Sequence, residues 1–126
     1  MSGPQRIQRQ RMRGWRAPEG AVYVGRGSRW GNPARIIPGW SNGCLLVQWG
    51  ANGASVGTFP ADGVEARRYA TELYRDWAER SVGFVEQVRA ELAGRDLMCW
   101  CPTPAPGQPD HCHAAVLLRI ANGGAA

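Results

Sequence analysis

At 126 residues the chain is long enough for one domain with a real core that needs neither disulfides nor metal. Its apolar content of 44% is ordinary, no apolar run approaches the length of a membrane span, and the N-terminus lacks the apolar core of a signal peptide. All fifteen basic residues are arginine; eight lie in the first 35 residues against one acid, Glu19, while the remainder holds seven against nine acids.

The basic character therefore belongs to one end of the molecule. A localised arginine cluster suits phosphate or nucleic-acid contact, because the planar guanidinium pairs with phosphate through two hydrogen bonds. A solvated basic tail is the plainer alternative for the same residues. With no span and no leader, the expected setting is cytoplasmic, with no membrane partner. Four cysteines in a reducing compartment read as thiols or metal ligands rather than as disulfides.

Residues 1–20 are polar and basic and predict an arm, flexible or partly docked through Trp15, ahead of a single globular domain over 21–126. AVYV at 21–24 is a short β-type run stopped by Gly25. The loop GRGSRWGNP follows at 25–33, then a Pro/Gly-rich connection as far as Gly43. Runs 44–49 and 54–59 flank turn residues that include Asn52-Gly53, the signature of a hairpin.

From Asp62 the period changes. Ala66, Tyr69, Ala70, Leu73, Tyr74, Trp77 and Ala78 fall at helical spacing. A second helix is expected from Ser81 as cap, with Phe84, Val85, Val88 and Leu92 inward and Gly94 as its stop. LMCWC at 97–101 is another short β run. Asp110 can cap a last helix carrying Val116, Leu117 and Ile120 and ending at Asn122-Gly123. The sum is an α/β or α+β domain: one small sheet of about four short strands, hairpin included, covered by three helices.

Two stretches carry chemistry. In the loop 25–33, glycines such as Gly25 let backbone N–H groups approach an anion, and Arg26 and Arg29 can neutralise it. Trp30 could stack on a base, and Asn32 offers a donor and an acceptor to a base edge. The alternative is a tight structural turn with Trp30 in the core. The loop is neither a Walker A motif nor a dinucleotide fingerprint.

The second stretch, LMCWCPTPAPGQPDHCHAAVLL at 97–118, holds three of the four cysteines and both histidines. In a strand Cys99 and Cys101 share a face and Trp100 points to the other. With Cys112 and His113 at a helix start they would complete a tetrahedral zinc set. A reactive thiol at Cys112, stabilised by the helix dipole, is one rival, and a cysteine-built core is another. A zinc deaminase is excluded by the order of the segments and by Ala115, which stands where a catalytic Glu would be wanted.

The stretches RIQRQRMRGWRAPEGAVYVGRGSRWGNP at 6–33 and ELAGRDLMCWCP…HCHAAVLL at 91–118 resemble a family of small domains of unknown function frequent in actinobacteria and their phages. The resemblance covers nearly the whole chain and implies no established activity. It marks the glycine/arginine loop and the CWC…CH stretch as the two signatures. One departure is Ala34, where many relatives carry Phe.

These readings converge on one cleft at the strand ends, collecting Arg26, Arg29, Trp30, Asn32, Cys101, Cys112 and His113. The leading expectation is a phage-type cytoplasmic protein that binds a nucleotide or nucleic acid through the Gly/Arg loop, with Cys112 or His113 as the reacting group if it performs chemistry. The alternative is a non-catalytic nucleic-acid-binding module stabilised by zinc on Cys99, Cys101, Cys112 and His113. The cofactor is accordingly none or zinc.

Overall fold

The computed structural model describes residues 3–39 and 43–123. Six strands and three helices follow in the order β1 (Arg6–Gln8), β2 (Val22–Tyr23), β3 (Ala34–Pro38), β4 (Cys44–Trp49), β5 (Ser55–Pro60), α1 (Val64–Arg80), α2 (Val82–Leu92), β6 (Leu97–Cys99) and α3 (His113–Ala121). The fold is a small α+β domain, as the pattern of elements implies.

The strands form two three-stranded sheets rather than one. In the first, all parallel, β6 lies between β1 and β2, with Ile7 opposite Met98 on one side and Tyr23 opposite Met98 on the other. A central parallel strand is covered on both faces, which is why LMC is buried at every position instead of alternating. The second sheet, β3-β4-β5, is an antiparallel meander. The β4–β5 hairpin lies where the Asn-Gly signal places it. A register shift between Leu45 and Val47 accompanies Gly57, whose left-handed φ of 79° leaves room for the Phe59 ring.

The Pro/Gly-rich connection expected after the loop is strand β3 over its first part, because Ile36 and Ile37 pair across to Val47 and Leu46. Its later part, residues 40–42, lies outside the described residues, as do residues 124–126 of the expected 21–126 domain. The N-terminal arm is docked by β1, an edge strand inserted beside β6, in addition to a half-buried Trp15.

Helix α1 joins two cores. Ala66 and Ala70, with Tyr69 and Leu73 beside them, face the antiparallel sheet at Val47, Leu45 and Trp49. One further turn along, Tyr74 and Ala78 enter the larger core made with Val88, Leu92, Leu97, Val116, Leu117 and Ile120. Each fully buried aliphatic side chain there contributes about 1.5–3 kcal/mol. Ser81 begins α2, but its hydroxyl donates back to the Trp77 carbonyl (2.8 Å) and caps no N–H of α2. Arg68 pairs with Glu72 at 3.4 Å on the solvated face. Helix α3 begins three residues later than Asp110, with Cys112 as its extended N-cap residue, because Asp110 is engaged elsewhere. Among the described residues no helix is long and apolar enough to cross a membrane.

Candidate functional site

The end of β6 and the start of α3 bring three sulfurs together. Cys99 is the last residue of β6, Cys101 lies two residues on with the same facing, and Cys112 precedes α3. The Sγ atoms of Cys99, Cys101 and Cys112 all lie within 4.8 Å of one another, and Cys99 and Cys112 are 3.3 Å apart. No cysteine is in a disulfide among the described residues. Trp100 points outward, so the strand alternation read from LMCWC persists one step beyond the ladder.

His113 is not in the sulfur cluster. Its Nε2 lies 2.7 Å from the Val24 carbonyl, and since a carbonyl only accepts, Nε2 carries the proton. Nδ1 faces Cys112 Sγ at 4.0 Å, and the ring edge meets Tyr74 at 5.3 Å between centroids. Burial, opposed by the bond to Val24, lowers its pKa and keeps it neutral.

The thiols share charge unequally. Hydrogen bonds from Cys101 and Cys112, with Arg6 nearby, hold the Cys99 thiol far below the ordinary thiol range. Interaction with Cys101 and Cys99, and burial, push Cys112 above it.

The basic arm is built into this site, which sequence reasoning missed. The Arg6 side chain, 4% exposed, forms a bidentate pair with Asp110 (Nε–Oδ2 2.5 Å, Nη2–Oδ1 2.9 Å). It also donates to the Cys101 and Pro102 carbonyls and, at 3.4 Å, to Cys99 Sγ. Arg9 lies over both Tyr23 and Trp100, each at 5.0 Å, and Arg11 over Trp100 at 4.4 Å. Only the short RIQ run hinted that this segment is a strand. Nothing local ties Arg6 to an acid 104 positions away.

A cleft of about 480 Å³ opens over the sulfurs. It collects Arg26, Asn32, Cys101, Cys112 and His113 as expected, and adds Gly25, Cys99, Trp100, His111 and two further arginines, Arg11 and Arg67. No Asp or Glu lines it among the described residues.

Two of the loop residues fall elsewhere. Trp30, expected to stack on a base, is 5% exposed and packs on Phe84 at 5.7 Å; it belongs to the core. Arg29 covers the Trp30 ring and forms an ion pair with Glu91. Asn32 lines the cleft but both ends of its amide are taken, Nδ2 donating to the Ala70 carbonyl and Oδ1 accepting from Ala34 N–H. It anchors the loop to α1. A Cβ at Gly25 would lie 2.5 Å from the Tyr23 hydroxyl, so this glycine is needed for close packing. Of the loop's expected phosphate ligands, Arg26 is the exposed cation that lines the cleft.

Fold and site together define a small α+β domain organised around three converging cysteines beneath an arginine-lined cleft. Residues 7–123 match the family described as Domain of unknown function (DUF4326), and the chain belongs to that family. No curated protein and no solved structure matches it.

Proposed function

We propose that this protein binds a phosphate-bearing ligand, a nucleotide or a nucleic-acid strand, in the cleft above the cysteines. The observation that carries the reading is the charge of the lining: Arg11, Arg26 and Arg67 come from three separate segments of the chain and no carboxylate lines the cleft among the described residues. Guanidinium groups converging on one concavity bind phosphate better than the same charges dispersed over a surface. Trp100 also lines the cleft, with Arg11 held over its ring. The free thiols suit a reducing cytoplasm, and the likeness to actinobacterial and phage domains is consistent with that setting.

The test is titration of the purified chain with ATP and with a short single-stranded oligonucleotide, at two salt concentrations. The Arg26→Ala/Arg67→Ala variant is expected to lose at least about tenfold in affinity, the equivalent of roughly 1.4 kcal/mol, and to lower the salt slope. Unchanged affinity in that variant, or no binding by the native chain, overturns the reading.

A second reading is favoured by the sulfur triangle: a non-catalytic module in which zinc on Cys99, Cys101 and Cys112 stabilises the fold. It expects a chelator to lower the unfolding temperature of protein purified without one.

A further inference from the structure

We infer that Cys99, Cys101 and Cys112 form a three-thiolate site for a soft divalent cation of the zinc type, whose fourth position is open to the cleft rather than filled by the protein. This inference does not rest on the phosphate-binding reading.

The size of the triangle is the first ground. Zinc–sulfur bonds of about 2.3 Å in a tetrahedron set neighbouring sulfurs roughly 3.8 Å apart. The three Sγ atoms, one pair at 3.3 Å and all within 4.8 Å, straddle that edge length, so one ion can be seated with small rotamer changes.

Charge is the second. Three thiolates and a divalent ion carry a net charge of about −1, which is costly to bury unless compensated. Arg6, whose charge is shared with Asp110, is the cation set against the cluster, with its Nη1 3.4 Å from Cys99 Sγ and its guanidinium held by Asp110 and the Cys101 and Pro102 carbonyls.

The third ground is the missing fourth ligand. His113 is the natural candidate, yet its Nδ1 approaches only Cys112 Sγ, at 4.0 Å, and neither ring nitrogen lies within 4.8 Å of all three sulfurs. No other His, Asp or Glu among the described residues joins the group. All three cysteines line the cleft, so the open side faces solvent and whatever the cleft holds. Sites with three protein ligands and an exchangeable fourth are those at which zinc meets water or a substrate atom, whereas structural zinc is closed by four.

Cobalt(II) tests this, because its visible bands report coordination and its near-ultraviolet bands report thiolate bonding. The expected result is about one equivalent bound per chain with tetrahedral, thiolate-type spectra, unaltered in Cys44→Ser and weakened at least about 100-fold in Cys101→Ser. Azide, imidazole or inorganic phosphate added to the native cobalt form should shift the visible bands, and His113→Gln should leave them in place. Absence of binding by the native chain overturns the site. A spectrum indifferent to every added ligand, or one lost in folded His113→Gln, overturns the open position in favour of a closed centre. Loss of nucleotide binding in the arginine variant leaves each of these readouts untouched, so the two readings fail separately.

Discussion

Arg6 should behave as the bolt that fastens the N-terminal strand to the cysteine site. The perturbations are Arg6→Met, which keeps the length of the side chain but donates nothing, and Asp110→Asn, which keeps the shape of the acceptor but removes its charge. Breaking a buried ion pair from one side costs about 3–5 kcal/mol. Arg6 is 4% exposed, but the Asp110 side chain is 23% exposed, so water partly solvates the carboxylate left behind. The expected loss for Arg6→Met is therefore about 2–4 kcal/mol. Asp110→Asn should cost less, about 1–3 kcal/mol, because the Cys101 and Pro102 carbonyls still hold the guanidinium. As the two groups share a bidentate contact, the double variant should be less destabilised than the sum, by on the order of 1.5–3 kcal/mol. The assay is urea denaturation of all four chains with chelator present throughout, so that the energies belong to the protein alone. Hydrogen exchange at the Arg9 amide, which bonds to the Cys99 carbonyl at 2.7 Å across the β1–β6 edge, should quicken in both single variants. Additivity to within about 0.5 kcal/mol, or a native-like Arg9 amide in Arg6→Met, refutes the reasoning.

Two further predictions concern the scaffold beneath the cleft. Tyr74 is buried, its hydroxyl donates to the Trp30 carbonyl at 2.7 Å, and burial raises its pKa above the ordinary 10.0. The folded state therefore holds this proton more tightly than the unfolded chain. That contribution is complete below about pH 10 and declines as pH rises beyond it. Denaturation midpoints measured from pH 8 to pH 11 should fall more steeply in the native chain than in Tyr74→Phe, which should itself cost about 1–2 kcal/mol at neutral pH. In the glycine loop, Gly25→Ala should cost about 1–2 kcal/mol by displacing the Tyr23 ring and its bond to the Arg26 carbonyl. Adding Tyr23→Leu should recover part of that loss, and a thermal melt showing Gly25→Ala to be neutral would remove the packing role assigned to this glycine.

The elements that sequence alone determined are those whose signal is local and repeated. Helix α1 spans 17 residues, enough for its apolar period to stand out, and the β4–β5 hairpin declares itself by two β-rich runs around Asn-Gly. The strand character of LMC and the meeting of Cys99 and Cys101 on one face also follow from local alternation. Strand β2 falls inside the β-type run AVYV, whereas β1 has three residues, too few to show any period, and it exists because β6 offers it an edge. The division into two sheets has the same origin, since pairing between distant segments is an energy of the assembled chain and leaves no mark in a local window.

The site divides along the same line. That cysteines near 100 and 112 belong with a glycine/arginine loop could be read from their residue types and from the tendency of strand ends to gather sites. Direction could not. Trp30 turns inward because the core at Phe84 takes a large ring at that point. Arg6 joins the sulfurs because β1 pairs with β6 in a register that sets Gln8 opposite Cys99, carrying a residue from the start of the chain to an acid near its end. Residue chemistry supplied the ingredients of this centre, and the register of one three-residue strand decided how they meet.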